Sequence, residues 1–310
     1  MLSREKQEGI VNLTETSPVT DFKWKQKRAT REFALSKGEE IAKLNGYTKG
    51  PIDPFVIIAS ESGQILAEGD DFRDSFDGRL SYHNDRFLLL YNTQYNKWPK
   101  NGDHHPKIRF TIAHELGHYY LDLHREFLVR SQAAIESFTE FESNIEVERQ
   151  ADAFATGLLM PEYILAPHVN CETDATIESI KSAANEFDVS LTSMLVRWTQ
   201  LSHFPCATLC IRHGKIQWGF GAQAFRDCGL WRCRRGIAPS STDAKRFLKA
   251  NSSCSVFREG VGTGQAQQWL EGDCAPIDVR EHYLAIPYCQ CVLVFITANE
   301  NDLPAQWERD

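Results

Sequence analysis

Apolar residues recur at helical spacing in some segments of the chain and form short clusters of strand length in others. The helical spacing predicts helices over residues 29–46, 107–127, 144–160, 175–187, 191–201 and 242–250. Short apolar runs bounded by turn residues predict strands at residues 55–59, 64–67, 80–82, 86–91, 207–211, 216–220, 283–286 and 289–297. Asn144 is placed to cap the third of these helices. The pattern therefore predicts an α+β fold.

The order of the predicted elements divides the chain into four parts. Residues 1–28 are polar and are expected to form a flexible tail, and residues 29–170 combine a small antiparallel sheet with several helices. Residues 171–204 are helical, and residues 205–310 form a separate cysteine-rich α+β segment. The chemistry is expected in the second part, because the most distinctive motifs lie there.

Composition and charge exclude several classes of protein. The chain has 310 residues and a net charge of −8, which argues against a nucleic-acid binder, since such proteins usually present a basic face. Its start has no apolar segment of a secretory signal, and no run approaches the roughly 18 apolar residues of a membrane helix. We therefore expect a cytoplasmic protein without a membrane partner, in which the 9 cysteines are reduced.

The segment Phe110–Leu121 contains the motif H-E-x-x-H at His114, Glu115 and His118. Histidines four residues apart differ by about 40° around a helix axis, so both imidazoles can reach one metal ion. Glu115 lies about 100° further round, beside the metal, where it can act as a general base on water. The alternative is a surface helix with two histidines, but the apolar residues around the motif favour a buried helix.

A zinc site needs a third protein ligand, and the sequence offers two candidates. His124 has the spacing of a third histidine, but residue 121 is leucine instead of a helix-breaking glycine. A continuous helix would turn His124 away from His118 and leave it at the surface. Glu148 lies on the apolar stripe of the next helix, where a carboxylate needs a partner such as a metal. Asp152, one turn later, can orient a ligand histidine, although both acids could instead form a solvated pair.

Two segments together resemble the ImmA/IrrE family of metallopeptidases: R-F-T-I-A-H-E-L-G-H at residues 109–118 and E-R-Q-A-D-A-F-A-T-G-L-L-M-P at residues 148–161. The resemblance implies a zincin-like core of the gluzincin type, that is, H-E-x-x-H plus a distant glutamate. It implies a metal, zinc or alternatively manganese, held by His114, His118 and Glu148, with Glu115 catalytic. Two departures are the bulky pair Tyr119-Tyr120 and Asp122, where the family often has a histidine.

The resemblance also implies a function. Members of the family resemble proteases that cleave a repressor and so release stress-response genes. We therefore expect an endopeptidase acting on a protein regulator, a repressor or an antitoxin-like protein. The alternative is a non-catalytic regulator that binds a partner through the same scaffold. A third hypothesis, DNA binding by the helix-turn-helix outline at 177–201, is disfavoured because that segment holds two basic and three acidic residues.

The cysteines, two polar residues after the third predicted helix and the C-terminal part support weaker predictions. Eight of the nine cysteines lie at or after Cys206, and we expect buried free thiols there rather than a second zinc site. The thiols of Cys289 and Cys291 are expected on opposite faces of a strand. Tyr163 and His168 are candidates for stabilising an oxyanion, although a loop position without a role is the simpler interpretation. Some members of the family carry a sensory-type C-terminal domain, and residues 205–310 have the size and the α+β pattern of such a domain.

Overall fold

The computed structural model describes residues 31–98, 102–131, 134–137, 146–170 and 176–303. It divides the chain into two compact units. The first comprises Met1–Ile164 and Asn185–Ser190, and the second comprises Leu165–Ala184 and Leu191–Asp310. The tail at residues 1–28 and the cap at Asn144 lie outside the described residues, so both stay predictions.

Three of the six predicted helices fall in the first unit, whose described residues form six helices. Its helices are α1 (Arg31–Leu44), α2 (Pro54–Ser60), α3 (Pro106–Tyr120), α4 (Asp122–Ser131) and α5 (Glu146–Leu159), followed by α6 (Glu162–Val169), which continues into the second unit. The prediction of one helix over residues 107–127 is wrong, because the helix is interrupted at Leu121, which separates α3 from α4. Leu121 has φ −80° and ψ 112°, an extended conformation that ends α3.

The predicted strand at residues 55–59 is also wrong, since these residues belong to α2. The carboxylate of Asp53 accepts a hydrogen bond from the backbone N–H of Phe55 and caps the helix. Pro54 occupies the first turn, where its fixed φ and missing N–H are tolerated. A cap followed by proline therefore decided the conformation of an apolar run that also suits a strand.

A four-stranded sheet packs beside α3 in the first unit. Its strands are β1 (Ile65–Asp70), β2 (Gly78–His83), β3 (Arg86–Asn92) and β4 (Ala134–Ser137), in the order β1-β3-β2-β4. The pair β2–β3 is antiparallel, as predicted, and β2 also pairs antiparallel with β4. The prediction of a wholly antiparallel sheet is wrong, because β1 runs parallel to β3. The α+β class and the combination of sheet and helices are confirmed, and β4 is an addition that the sequence pattern did not reveal.

The second unit is built on an antiparallel sheet of order β6-β5-β11-β10-β8. Its strands are β5 (Cys206–Arg212), β6 (Lys215–Gly221), β8 (Arg258–Gln265), β10 (Asp278–Ile286) and β11 (Cys291–Thr297), and β7 (Leu230–Cys233) pairs separately with β9 (Leu270–Gly272). The helices are α7 (Ile177–Glu186, whose last two residues count with the first unit), α8 (Leu191–Leu201), α9 (Gln223–Asp227) and α10 (Thr242–Ala250). The core of the sheet is apolar and includes the fully buried Trp269 and Phe295.

The helix pair α7 and α8 has the predicted outline, with a turn in which Asp188 adopts φ 50°. Every residue of α8 from Thr192 to Thr199 is buried. A helix that reads DNA must expose one face to the groove. The burial of α8 therefore supports a role as scaffold.

The eight cysteines that the structure describes, from Cys206 to Cys291, are free thiols, and six of them are buried. The expected placement of Cys289 and Cys291 on opposite strand faces is wrong. Cys289 ends a 3-10 turn, Gln290 takes a left-handed conformation with φ 47°, and the two Sγ atoms lie 2.8 Å apart. Residues two apart share a face even in a regular strand, so the expectation was also wrong about strand geometry.

Across the described residues, no helix combines the length and hydropathy needed to cross a bilayer.

Candidate metal centre

Helix α3 presents the two histidines of the motif from within the core. The ring of His105 accepts a hydrogen bond from the backbone N–H of Lys107 and caps the helix, and Pro106 follows in the first turn. His114 and His118 then lie one turn apart, with exposed fractions of 1% and 0%. Their Nε2 atoms are 3.2 Å apart, so both rings face the same point.

Helix α5 approaches α3 closely at Gly117. A Cβ atom on this residue would lie 3.1 Å from the Cα of Ala151, nearer than backbone atoms normally allow. Glycine inside a helix costs about 1 kcal/mol relative to alanine. Close packing against α5 explains why glycine occupies this position. This approach brings Glu148, in the first turn of α5, to the face of α3 that carries the histidines.

Glu148 completes a cluster with the two imidazoles. Its Oε2 lies 3.1 Å from Nε2 of His114, and its Oε1 lies 3.6 Å from Nε2 of His118. The three ligand atoms all lie within 4.8 Å of one another, and this is the only such group among the residues that the structure describes. Oε1 of Glu148 is buried and receives no hydrogen bond from any described residue. Two imidazoles and a carboxylate that converge in this way fit a divalent cation.

Asp152 lies one turn after Glu148, with Oδ1 2.8 Å from Nδ1 of His114. Burial alone would lower the pKa of His114, but the carboxylates of Asp152 and Glu148 outweigh it and raise that pKa well above its usual value. A carboxylate at Nδ1 favours the His114 tautomer whose Nε2 can coordinate a metal ion. The geometry therefore matches the orienting position that the sequence indicated for Asp152.

Glu115 lies beside this cluster and is fully buried. The hydroxyl of Ser137, at the end of β4, donates a hydrogen bond to Oε1 of Glu115. Oε2 is also buried and receives no hydrogen bond from the described part of the chain. Gly78 leaves room for the carboxylate, since a Cβ atom there would lie 2.5 Å from Oε1. Burial, opposed by His114 and Ser137, raises the pKa of Glu115 to about 8.

The interpretation of His124 as a surface histidine is wrong. The break at Leu121 turns α4 back towards α3, so His124 is fully buried. Its Nδ1 lies 2.9 Å from Nδ1 of His118, and its Nε2 lies 3.0 Å from Oε1 of Gln150. Burial lowers the pKa of His124 to about 4, which keeps the ring neutral at ordinary pH. His124 thus contacts a member of the cluster without belonging to it.

The other residues noted in the sequence have simpler surroundings. The hydroxyl of Tyr163 donates to the carbonyl of Tyr47, 2.9 Å away. His168, near the end of α6, belongs to the second unit. The bulky pair Tyr119-Tyr120 is explained by Glu61, whose two carboxylate oxygens accept hydrogen bonds of 3.0 and 2.9 Å from the two phenols.

Comparisons with known proteins matched a family model and a solved structure. Residues 100–199 match the family Peptidase_M78, described as an IrrE N-terminal-like domain. No curated protein sequence matches the chain. A solved structure described as a Mycobacterium tuberculosis transcriptional regulator is similar over 86% of this chain and 76% of its own, with a TM-score of 0.51 and 14% identity. That likeness concerns the fold alone. The matched segment contains all three residues of the buried cluster, so residues 100–199 form an IrrE N-terminal-like domain of the Peptidase_M78 family, and the resemblance to the ImmA/IrrE metallopeptidases is confirmed.

Proposed function

We propose that this chain is a zinc-dependent endopeptidase that hydrolyses a peptide bond in a protein regulator. One observation carries the proposal: the buried cluster of His114, His118 and Glu148 lies beside Glu115, whose Oε2 is buried and receives no hydrogen bond from a described residue. A pure binding scaffold has no need for a buried carboxylate oxygen that lacks a donor, because burying it without one is costly. A hydrolytic site needs such an oxygen, because a general base must be free to take a proton.

The donor set favours zinc over harder cations. Imidazole nitrogens suit zinc, whereas magnesium and calcium prefer oxygen ligands alone, and manganese remains the alternative metal. A zinc ion held by His114, His118 and Glu148 would polarise the scissile carbonyl and lower the pKa of water at its open position. Two histidines from one helix and a glutamate from another make this a site of the gluzincin type.

Glu115 is the proposed general base. Ser137 engages Oε1, so Oε2 takes the proton from the attacking water and later delivers it to the leaving amine. The raised pKa of about 8 in the metal-free protein suits a group that must both accept and release a proton. A divalent cation held by the cluster would lower that pKa, because a positive charge favours the ionised carboxylate.

A peptide substrate can use the edge of the sheet. Among the described residues β4 is one of the two edge strands of the sheet, and its Ser137 contacts Glu115. An extended peptide that pairs with β4 through main-chain hydrogen bonds would therefore pass beside the catalytic carboxylate. This mode of binding recognises an extended segment of a protein rather than a small molecule.

The proposed substrate is a repressor or an antitoxin-like regulator in the cytoplasm, whose cleavage releases a stress response. The support is the membership of residues 100–199 in Peptidase_M78 and the shared fold with a protein described as a transcriptional regulator. The second unit, which holds the cysteine-rich sheet, is the proposed sensory part.

The test combines metal analysis with the substitution Glu115→Gln. The purified chain is loaded with zinc or manganese and mixed with repressor-like proteins encoded near its gene. We expect one equivalent of metal in both forms, and cleavage by wild type that falls at least about 100-fold in Glu115→Gln. The matched control is Glu162→Gln, an exposed glutamate in the first turn of α6, which should cleave normally.

Two outcomes would contradict the proposal. A chain that binds no divalent metal has no hydrolytic centre of this kind. Unchanged biological function of Glu115→Gln would favour the alternative, a non-catalytic regulator that binds its partner through the same scaffold.

A further inference from the structure

His124 is a fully buried histidine that the proposed reaction does not use. It reaches His118 through one ring nitrogen and Gln150 through the other, at 2.9 and 3.0 Å. His118 and His124 are both 0% exposed and Gln150 is 7% exposed. A buried polar chain of this kind needs a consistent set of donors and acceptors, because each unmatched group is costly.

The directions of these hydrogen bonds follow from the orientation of His118. Its Nε2 faces the cluster, 3.2 Å from Nε2 of His114, and must present a lone pair to hold a cation. The proton of a neutral His118 ring is then on Nδ1 and is donated to Nδ1 of His124. His124 consequently carries its own proton on Nε2 and donates it to Oε1 of Gln150, which as an amide oxygen can only accept.

We propose that His124 and Gln150 form a positioning pair that fixes the tautomer and ring orientation of His118 for binding a divalent cation. The inference rests on the proposed metal site and goes beyond it by assigning two residues outside the ligand set. It also explains the break at Leu121, because without that break α4 could not return His124 to the core.

The residues that orient the two proposed ligand histidines differ in charge. His114 is oriented by the carboxylate of Asp152, whereas His118 is oriented by a neutral chain of imidazole and amide. The two ligand histidines therefore donate to the metal with unequal basicity, His114 being the stronger donor. His124 is not itself a ligand in this arrangement, since its two ring nitrogens are engaged by His118 and Gln150.

The experiment measures zinc affinity by competition with a chelator, and it does not require a cleavage assay. His124→Leu and Gln150→Met each remove one link of the chain and should weaken zinc binding about 10- to 100-fold. His124→Asn keeps an acceptor near the position of Nδ1 and should recover most of the affinity. The control His83→Leu removes an exposed histidine at the end of β2 and should bind like wild type.

A cobalt-substituted protein provides the second readout. If His124 only positions His118, the number of nitrogen ligands is unchanged in His124→Leu and the visible absorption bands keep their intensity while shifting. Loss of the tetrahedral bands with one fewer nitrogen ligand would mean that His124 binds the metal directly and would overturn the proposal.

Nitrogen NMR of the zinc-loaded wild type tests the tautomers without any substitution. The proposal requires a protonated Nδ1 on His118 and a protonated Nε2 on His124, and the reverse assignment would refute it even if the variants fail to fold. Folded His124→Leu with wild-type zinc affinity would refute it as well. Absence of zinc binding by wild type would instead count against the proposed function, so the two failures are distinguishable.

Discussion

Ser137 and Glu115 lie in different elements of the first unit and are joined by a hydrogen bond from the serine hydroxyl to Oε1 of the glutamate. The bond stabilises the ionised carboxylate and so opposes the rise in its pKa that burial causes. It also leaves Oε2 as the oxygen that can exchange a proton. The end of a four-residue strand thereby controls the basicity of the proposed catalytic group.

The first prediction follows from this bond. In Ser137→Ala the pKa of Glu115 rises, so the acid limb of kcat/KM against pH moves to higher pH by about one unit, which corresponds to about 1.4 kcal/mol. The measurement is the pH profile of cleavage by the zinc-loaded enzyme. Ser131→Ala, which removes a hydroxyl that donates to the carbonyl of Phe127, is the control. An identical profile in Ser137→Ala would remove the serine from the mechanism.

The second prediction concerns the stability of the metal-free protein. Because folding raises the pKa of Glu115 from 4.5 to about 8, the folded state holds this proton more tightly than the unfolded state. The free energy of unfolding should therefore fall as pH rises through that window, by a few kcal/mol at most, on the order of 1.4 kcal/mol per unit.

Glu115→Gln isolates this effect, since the amide does not titrate. Unfolding by urea in the presence of a chelator, at pH 5 and at pH 8, should show a smaller loss of stability for Glu115→Gln than for wild type. Equal pH dependence of the two proteins would show that the carboxyl titrates at its ordinary pKa in the folded state.

Arg109 supplies the third prediction. Its guanidinium is buried and donates to the carbonyls of Ile52, at 2.6 Å, and Asp188, at 3.1 Å, while pairing with the Asp188 carboxylate at 3.2 Å. Arg109→Ala removes these bonds and leaves a buried carboxylate without its cation, so unfolding should become easier by about 3–5 kcal/mol. Arg86→Ala, at an exposed position of β3, should change stability by less than about 0.5 kcal/mol in the same denaturation assay. A loss as small as that control would contradict the role of Arg109.

The fourth prediction tests the approach of α3 to α5. Gly117→Val places a branched side chain against the backbone of Ala151, which cannot yield, and should cost about 1–3 kcal/mol of stability. Since Glu148 reaches the histidines only through that approach, zinc affinity should fall as well. Gly63→Ala, where no atom lies within 4 Å of the added Cβ, is the control. Wild-type zinc affinity in Gly117→Val would mean that the cluster tolerates separation of the helices.

The sequence identified those candidate site residues whose placement depends on the periodicity of a single helix. His114 and His118 share a helix face because their spacing is fixed by helix geometry, and Glu148 was recognised because a carboxylate on an apolar stripe is unusual. Both inferences concern the contents of single helices. The meeting of the two helices was inferred from the need for a third ligand, and the resemblance to a known family supported it.

The errors arose where non-local packing or a cap decided the outcome. Residues 55–59 suit a strand by composition, but the cap at Asp53 and the proline after it produced a helix. Leu121 lacks the glycine signature of a helix break, so the burial of His124 was not foreseen. Ser137 lies in a strand of only four residues with no distinctive pattern, and sequence reasoning offered no signal for its contact with Glu115.

Helix α5 carries Glu148, Gln150 and Asp152 within five consecutive positions, and each acts on the histidines in a different way. One provides a ligand oxygen, one anchors the chain through His124, and one orients His114. Displacing this single helix would therefore remove the proposed glutamate ligand and both residues that orient the histidines in one event. If the proposed metal site is correct, metal binding should therefore be coupled to the packing of α5 against α3.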